Sequence, residues 1–238
     1  MILLLIVLSV LGFAVLNVFA KNKRQTGLSL VLGLVFVASV VALMANLTYH
    51  FGMEKETTAK TTALVSSADN ENFDLLLYQP LGDGTEKIYL YKTDTDQEEP
   101  KQTGTDKVTN VVETGAESAQ LETKTTRWVY KSDLSRFLFG IADNDGQYVS
   151  RTNTFSLPDS WEVLSVDQAK KLASLAKEQA DTMKTQGQAY VQEKMQAALM
   201  ADPTMDEAAQ KAKIAELTEA YQKEAMAKLL EEAKSKNE

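Results

Sequence analysis

Nucleophilic and metal chemistry need side chains that this sequence scarcely holds. There is no cysteine, so disulfides, thiolate metal sites, a cysteine-linked lipid anchor and a cysteine nucleophile are all excluded. His50 is the single histidine, too little for a histidine-rich zinc site and without the partners a triad requires. Asp143-Asn144-Asp145-Gly146 looks like the opening of a calcium loop. The calcium-loop pattern, however, would place its first ligand at Ile141 and its last at Thr152, and neither can serve. A β-turn accounts for the same four residues, because Asn, Asp and Gly tolerate left-handed backbone. Ser174-Leu175-Ala176-Lys177 has the S-x-x-K form of penicillin-binding enzymes without their partner motifs, and reads as helix. No nucleophile elbow, H-E-x-x-H, phosphate loop or dinucleotide fingerprint occurs. With 33 acidic residues, a carboxylate pair for glycoside hydrolysis would always be available, so acidity alone marks no site. No catalytic, cofactor or metal-binding residue is therefore assigned.

The elements are more legible than any site. No acidic residue precedes Glu54, and only Lys21, Lys23 and Arg24 of the 25 basic residues do. The rest of the chain carries 22 basic against 33 acidic groups, a formal charge of −11. That sign disfavours nucleic acid and anionic lipid as partners of the bulk of the chain. Ile2 to Ala20 and Gly27 to Tyr49 are uncharged apolar runs, and about 20 helical residues cross a hydrocarbon core. The short polar turn between them makes the two spans antiparallel neighbours. A cleaved signal peptide is the alternative for the first span, with Val18 and Ala20 before Lys21, but the usual basic residues ahead of the apolar stretch are missing. Basic residues concentrate in cytoplasmic loops, so Lys21, Lys23 and Arg24 are the topology determinants: the turn is cytoplasmic, and both the N-terminus and the large C-terminal part are extracytoplasmic. Ser9, Gly12, Gly33, Ala38 and Ala42 would let the helices approach closely. Asn17 and Asn46 lie near opposite faces and are not expected to meet.

The expected fold class is α+β. A transmembrane hairpin over residues 1–51 is followed by a threonine-rich linker over 52–72. A small antiparallel β-sheet or barrel spans 73–164, and a long helical hairpin spans 165–238. Phe73 to Gln79 and Lys87 to Lys92 flank a Pro- and Gly-containing turn and predict a β-hairpin. Tyr89 and Tyr91 share a strand face, expected to pack in the core. Further strands are predicted over Val108–Val112, Leu121–Lys131, Arg136–Ala142, Gln147–Phe155 and Trp161–Leu164, with a loop over Thr93–Thr105. Ser165 with Gln168 has the form of a capping box opening a helix to about Met200. Pro203 ends that helix and begins another, from about Met205 to Ser235. Its apolar stripe of Ile214, Leu217, Tyr221 and Leu229 is the candidate face for a protein partner or a second copy. Glu207 with Lys211, Glu219 with Lys223, Glu224 with Lys228 and Glu232 with Lys236 have favourable helical spacing on its other side.

The two-span hairpin, Tyr78-Gln79-Pro80-Leu81-Gly82 followed by Lys87 to Lys92, and the charged helical tail together resemble a known family. It comprises small two-span membrane proteins of lactic acid bacteria and related Gram-positive organisms, classed as a domain of unknown function. The resemblance implies a Gram-positive cell envelope and brings no catalytic residues. The expectation is a non-enzymatic binding or scaffolding protein anchored in the cell membrane. The alternatives are an extracytoplasmic hydrolase of wall polymers, using carboxylates near Trp128 or Trp161, and an accessory subunit of a membrane transporter.

Overall fold

Long apolar runs free of proline favour helix, since only a helix satisfies its backbone internally without water. The computed structural model, which describes residues 1–67 and 74–235, opens with α1 (Ile2–Phe19) and α2 (Lys23–Tyr49). Both are long and apolar enough to cross a membrane. Asn22 caps α2, its side-chain oxygen accepting the Gln25 amide at 3.0 Å. The turn is thus tighter than its polar sequence suggests, and Lys23 and Arg24 stand in the first helical turn. Glycines let side chains of α1 and α2 approach closely: a Cβ on Gly12 would lie 2.8 Å from Leu32 Cδ1, and one on Gly33 would lie 3.1 Å from Phe13.

Eight strands follow: β1 (Met53–Ala63), β2 (Asp74–Leu81), β3 (Glu86–Tyr91), β4 (Lys101–Gln102), β5 (Val108–Thr114), β6 (Gln120–Tyr130), β7 (Gln147–Leu157) and β8 (Trp161–Ser165). Helix α3 (Asp133–Phe139) and a 3-10 turn at Gly140–Ala142 separate β6 from β7, and α4 (Val166–Ala201) and α5 (Glu207–Ser235) end the chain. The sheets run β1-β6-β7-β5 and β4-β3-β2-β8. Phe73 and Lys236, assigned above to a strand and an ion pair, lie outside the described residues.

The α+β class is as expected, while three details depart from the sequence reading. Of the expected sheet or barrel the chain forms sheets, two open ones of four strands each, but they are not wholly antiparallel: β2 pairs in parallel with β8 (Leu75 beside Glu162, Leu77 beside Leu164). A parallel neighbour needs a long intervening connection, which residues 82–160 provide and periodicity does not reveal. Residues 53–63, read as linker, form β1, because its threonines suit an extended backbone even though almost every side chain is exposed. Thr57 Oγ1 meets Thr126 Oγ1 at 2.8 Å, tying β1 to β6. Arg136–Ala142, predicted as a strand, is helical. Ser132 caps α3 by accepting the Ser135 amide, and Asp133 sits in the first turn, where a negative charge is favoured.

The chain divides into two compact units. One comprises Met1–Thr61, Asp106–Thr109 and Glu122–Asn153, and its packed cluster contains Ile2, Met53, Tyr130 and Phe139. The other comprises Thr62–Thr105, Asn110–Leu121 and Thr154–Glu238. It has one cluster around Leu76, Tyr89, Phe155, Leu157 and Trp161, and another where Leu75 and Leu164 meet Leu172, Met226, Leu229 and Leu230. Tyr89 and Tyr91 pack on Phe155, with ring centroids 5.1 and 5.9 Å away.

Candidate functional site

Helix α4 begins with the capping box read from sequence. The Ser165 hydroxyl accepts the Gln168 amide at 3.1 Å, and the Gln168 side chain accepts the Ser165 amide at 2.9 Å. At this end α4 and the end of α5 cover the β2–β8 sheet, burying Leu172, Leu229 and Leu230 completely or nearly so. Further along, the two helices continue as a hairpin. They part to form an apolar groove of about 780 Å³, lined among others by Met183, Gly187, Val191, Met195, Ile214 and Tyr221. Gly187 leaves room there for a close approach of the Tyr221 ring, since a Cβ would lie 3.0 Å from it. Tyr190 stacks obliquely on the same ring at 5.5 Å.

The stripe Ile214, Leu217, Tyr221 and Leu229 is thus divided by its surroundings. Leu229 is core, while Ile214 and Tyr221 line the groove and Leu217 is half-buried beside it. Met183, Val191, Met195 and Leu199 on α4 supply the facing wall. Their loose spacing on an alanine- and glutamine-rich helix made that wall hard to read. On α5, Lys228 pairs with Glu224 at 2.8 Å. That hydrogen bond, with the lysine's charge, holds the Glu224 carboxyl below its ordinary range.

A second cluster gathers residues from the other unit. Asn46, fully buried near the end of α2, donates from Nδ2 to the Phe51 carbonyl at 2.8 Å and accepts from Asn144 Nδ2 at 3.1 Å. The Tyr130 hydroxyl lies within hydrogen-bond reach of two acceptors, the Phe139 carbonyl and the Asn144 side-chain oxygen, and its single proton is shared between them. Asp145 accepts the Tyr130 amide and pairs with Arg136. The Asp143–Gly146 turn therefore fastens α2 to β6 and α3. Burial raises the Tyr130 hydroxyl's pKa, Asp145 and Asp143 raise it further, and Arg136 opposes them. His50, in left-handed backbone at the end of α2, stacks on Trp128 with centroids 4.2 Å apart and shares a hydrogen bond with Gln147.

The hydrolase alternative gains nothing from this geometry. Trp161 is buried, and the Trp128 face meets His50 in place of open solvent. Among the described residues, the carboxyl groups whose titration the fold moves, Asp83 and Glu224, move down, Asp83 through hydrogen bonds from the Thr85 side chain and amide. A general acid needs the opposite shift. Among the described residues, no three acidic or histidine side chains gather as a metal set.

Residues 21–172 match the domain of unknown function DUF4811. The chain belongs to that family. The DUF4811 span holds α2, both sheets and α3, and ends in the first turns of α4, so the Asn46–Tyr130–Asn144 cluster lies inside it and the residues lining the groove lie beyond it. No curated protein and no solved structure matches the chain.

Proposed function

We propose that this DUF4811 protein is a non-enzymatic binding module anchored in a cell membrane by α1 and α2, and that its α4–α5 groove receives an apolar helix of a protein partner. The carrying observation is the groove itself: an open apolar channel between two long helices, walled by methionines whose flexible side chains suit a protein ligand. Anchoring is supported by the outward-facing leucines and valines of both helices, such as Leu8, Leu11, Leu34 and Val41, which are exposed and would be costly in water. Burial of Ile2 with Met53, Tyr130 and Phe139 favours α1 as a retained span, because removing it would open that cluster. Lys21, Lys23 and Arg24 favour a cytoplasmic turn, hence an extracytoplasmic location for everything after α2. The envelope setting implied by the family resemblance agrees with that orientation.

The absence of cysteine makes any introduced thiol unique. Gln188→Cys, at the exposed edge of the groove, and Lys223→Cys, on the other side of α5, should be labelled with a photo-crosslinker in native membranes of the full chain. Adducts to a protein from position 188 alone are expected, and mass spectrometry would tell a different partner from a second copy. Equal labelling from both positions, or none from 188 at any concentration, would overturn the groove's role.

A further inference from the structure

Three large apolar side chains stand exposed on a helix that is not part of the apolar hairpin. Leu134, Phe137 and Ile141 are 66%, 60% and 60% exposed. Their spacing of three and four residues puts them within one narrow arc of the helical surface of α3 and its 3-10 extension. Phe139, on the inward side, is buried. The segment is therefore amphipathic with its apolar face outward, the reverse of what a helix resting on a soluble core presents to water.

Its attachments say where that face lies. The Met1 amino group donates to the Phe137 carbonyl at 2.9 Å and the Leu138 carbonyl at 3.2 Å, so α3 meets the beginning of α1. Phe139 makes an edge contact with Phe51 at 6.3 Å, so α3 also meets the residues just after α2. Gly52, at φ 81°, permits this. A Cβ there would lie 3.1 Å from the Ser135 hydroxyl and 3.4 Å from the Phe139 ring. Helix α3 thus sits where both apolar helices end on one side. Tyr49 and Phe51, both exposed, stand at that same end and continue the apolar surface of α2 toward α3.

We infer that α3 and its 3-10 extension form an interfacial element whose Leu134, Phe137 and Ile141 side chains enter the lipid of the outer leaflet, at the boundary between headgroups and acyl chains. The inference rests on the membrane-spanning reading of α1 and α2. Its occupant is lipid because the exposed face continues the outward apolar surface of those helices, and such a face sinks about 5–10 Å into the boundary region. The Ser132 cap, Asp133 and Arg136 lie off that arc and stay at the level of water and headgroups. The contact fixes the height of β1 and β6 above the bilayer, since Gly52 and Lys131, at the ends of those strands, share a backbone hydrogen bond of 3.1 Å beside α3.

The test uses full-length protein in phosphatidylcholine vesicles, with an environment-sensitive fluorophore on a single introduced cysteine. Four sites are compared: Phe137→Cys and Leu134→Cys on the proposed face, Val37→Cys midway along α2, and Lys124→Cys on exposed β6. Lipids carrying a spin label high or low on the acyl chain serve as quenchers. The expected result is deep quenching at 37, shallow quenching with blue-shifted emission at 134 and 137, and neither at 124. Quenching at 37 with positions 134 and 137 behaving like 124 would overturn the interfacial helix and leave the spans intact. Loss of quenching at 37 as well would sink the membrane-spanning reading and this inference with it. Agreement between 134 and 137 guards against a label that disturbs α3 at one site.

Discussion

Tyr130 is the residue on which the cluster at the end of α2 turns. Its hydroxyl serves a backbone carbonyl and Asn144, and Asn144 in turn serves Asn46. Replacing it with phenylalanine keeps the ring and leaves buried oxygen atoms unpaired, at a cost of about 1–3 kcal/mol. Thermal unfolding of Tyr130→Phe in detergent should show that loss. The pH dependence has a definite sign: a hydroxyl whose pKa is raised by folding contributes stability that is fully present below the ordinary tyrosine value. That contribution disappears as pH rises through the raised value. The native protein should therefore lose stability in strong alkali more steeply than Tyr130→Phe. Equal alkaline slopes would mean that the hydroxyl is not held as described. Little of this was legible in sequence. Asn46 was visible as a polar residue in an apolar run, but its partner at Asn144 is 98 positions away and no local pattern joins them.

At the scale of elements, the helices announced themselves and the sheets only partly did. The capping box at Ser165, the break at Pro203 and the glycine contacts of α1 with α2 follow from local chemistry, and local chemistry is what sequence records. Arg136–Ala142 misled because its phenylalanines, leucine and isoleucine suit a strand equally well. Ser132-Asp133 before it, and Leu134, Phe137 and Ile141 at helical spacing, were the contrary signals. The strand β1 was hidden by its polarity, and the parallel β2–β8 pairing by its sequence separation. The α5 stripe read as one face is divided between core and groove, and mutation should separate the two parts. Leu229→Ala opens a cavity between sheet and hairpin and should cost about 2–5 kcal/mol. Ile214→Ala, at a 44% exposed groove position, should change stability by no more than about 0.5 kcal/mol while reducing crosslinking from position 188. Chemical denaturation of both variants checks the contrast. Equal losses would mean that the groove is simply more core.

Along the whole chain an apolar hairpin is followed by an α+β body and a grooved helical tail. Charge orders these parts along the chain. The first 53 residues hold three basic groups and no acidic ones, and the remainder is strongly acidic. That asymmetry is legible from sequence alone and is the support for the proposed orientation, because translocation follows the basic residues beside the spans and depends little on acidic ones. The groove in the tail was less legible, since an apolar wall built from dispersed methionines and alanines leaves only a faint periodic trace.

Orientation is the claim on which the rest depends, and protease accessibility on intact cells tests it most directly, with an epitope tag placed after Glu238. Removal of the tag by external protease before lysis is the expected result, with the turn at Lys21, Lys23 and Arg24 inside. A tag protected in intact cells and cleaved only after lysis would place the acidic body in the cytoplasm and contradict the account.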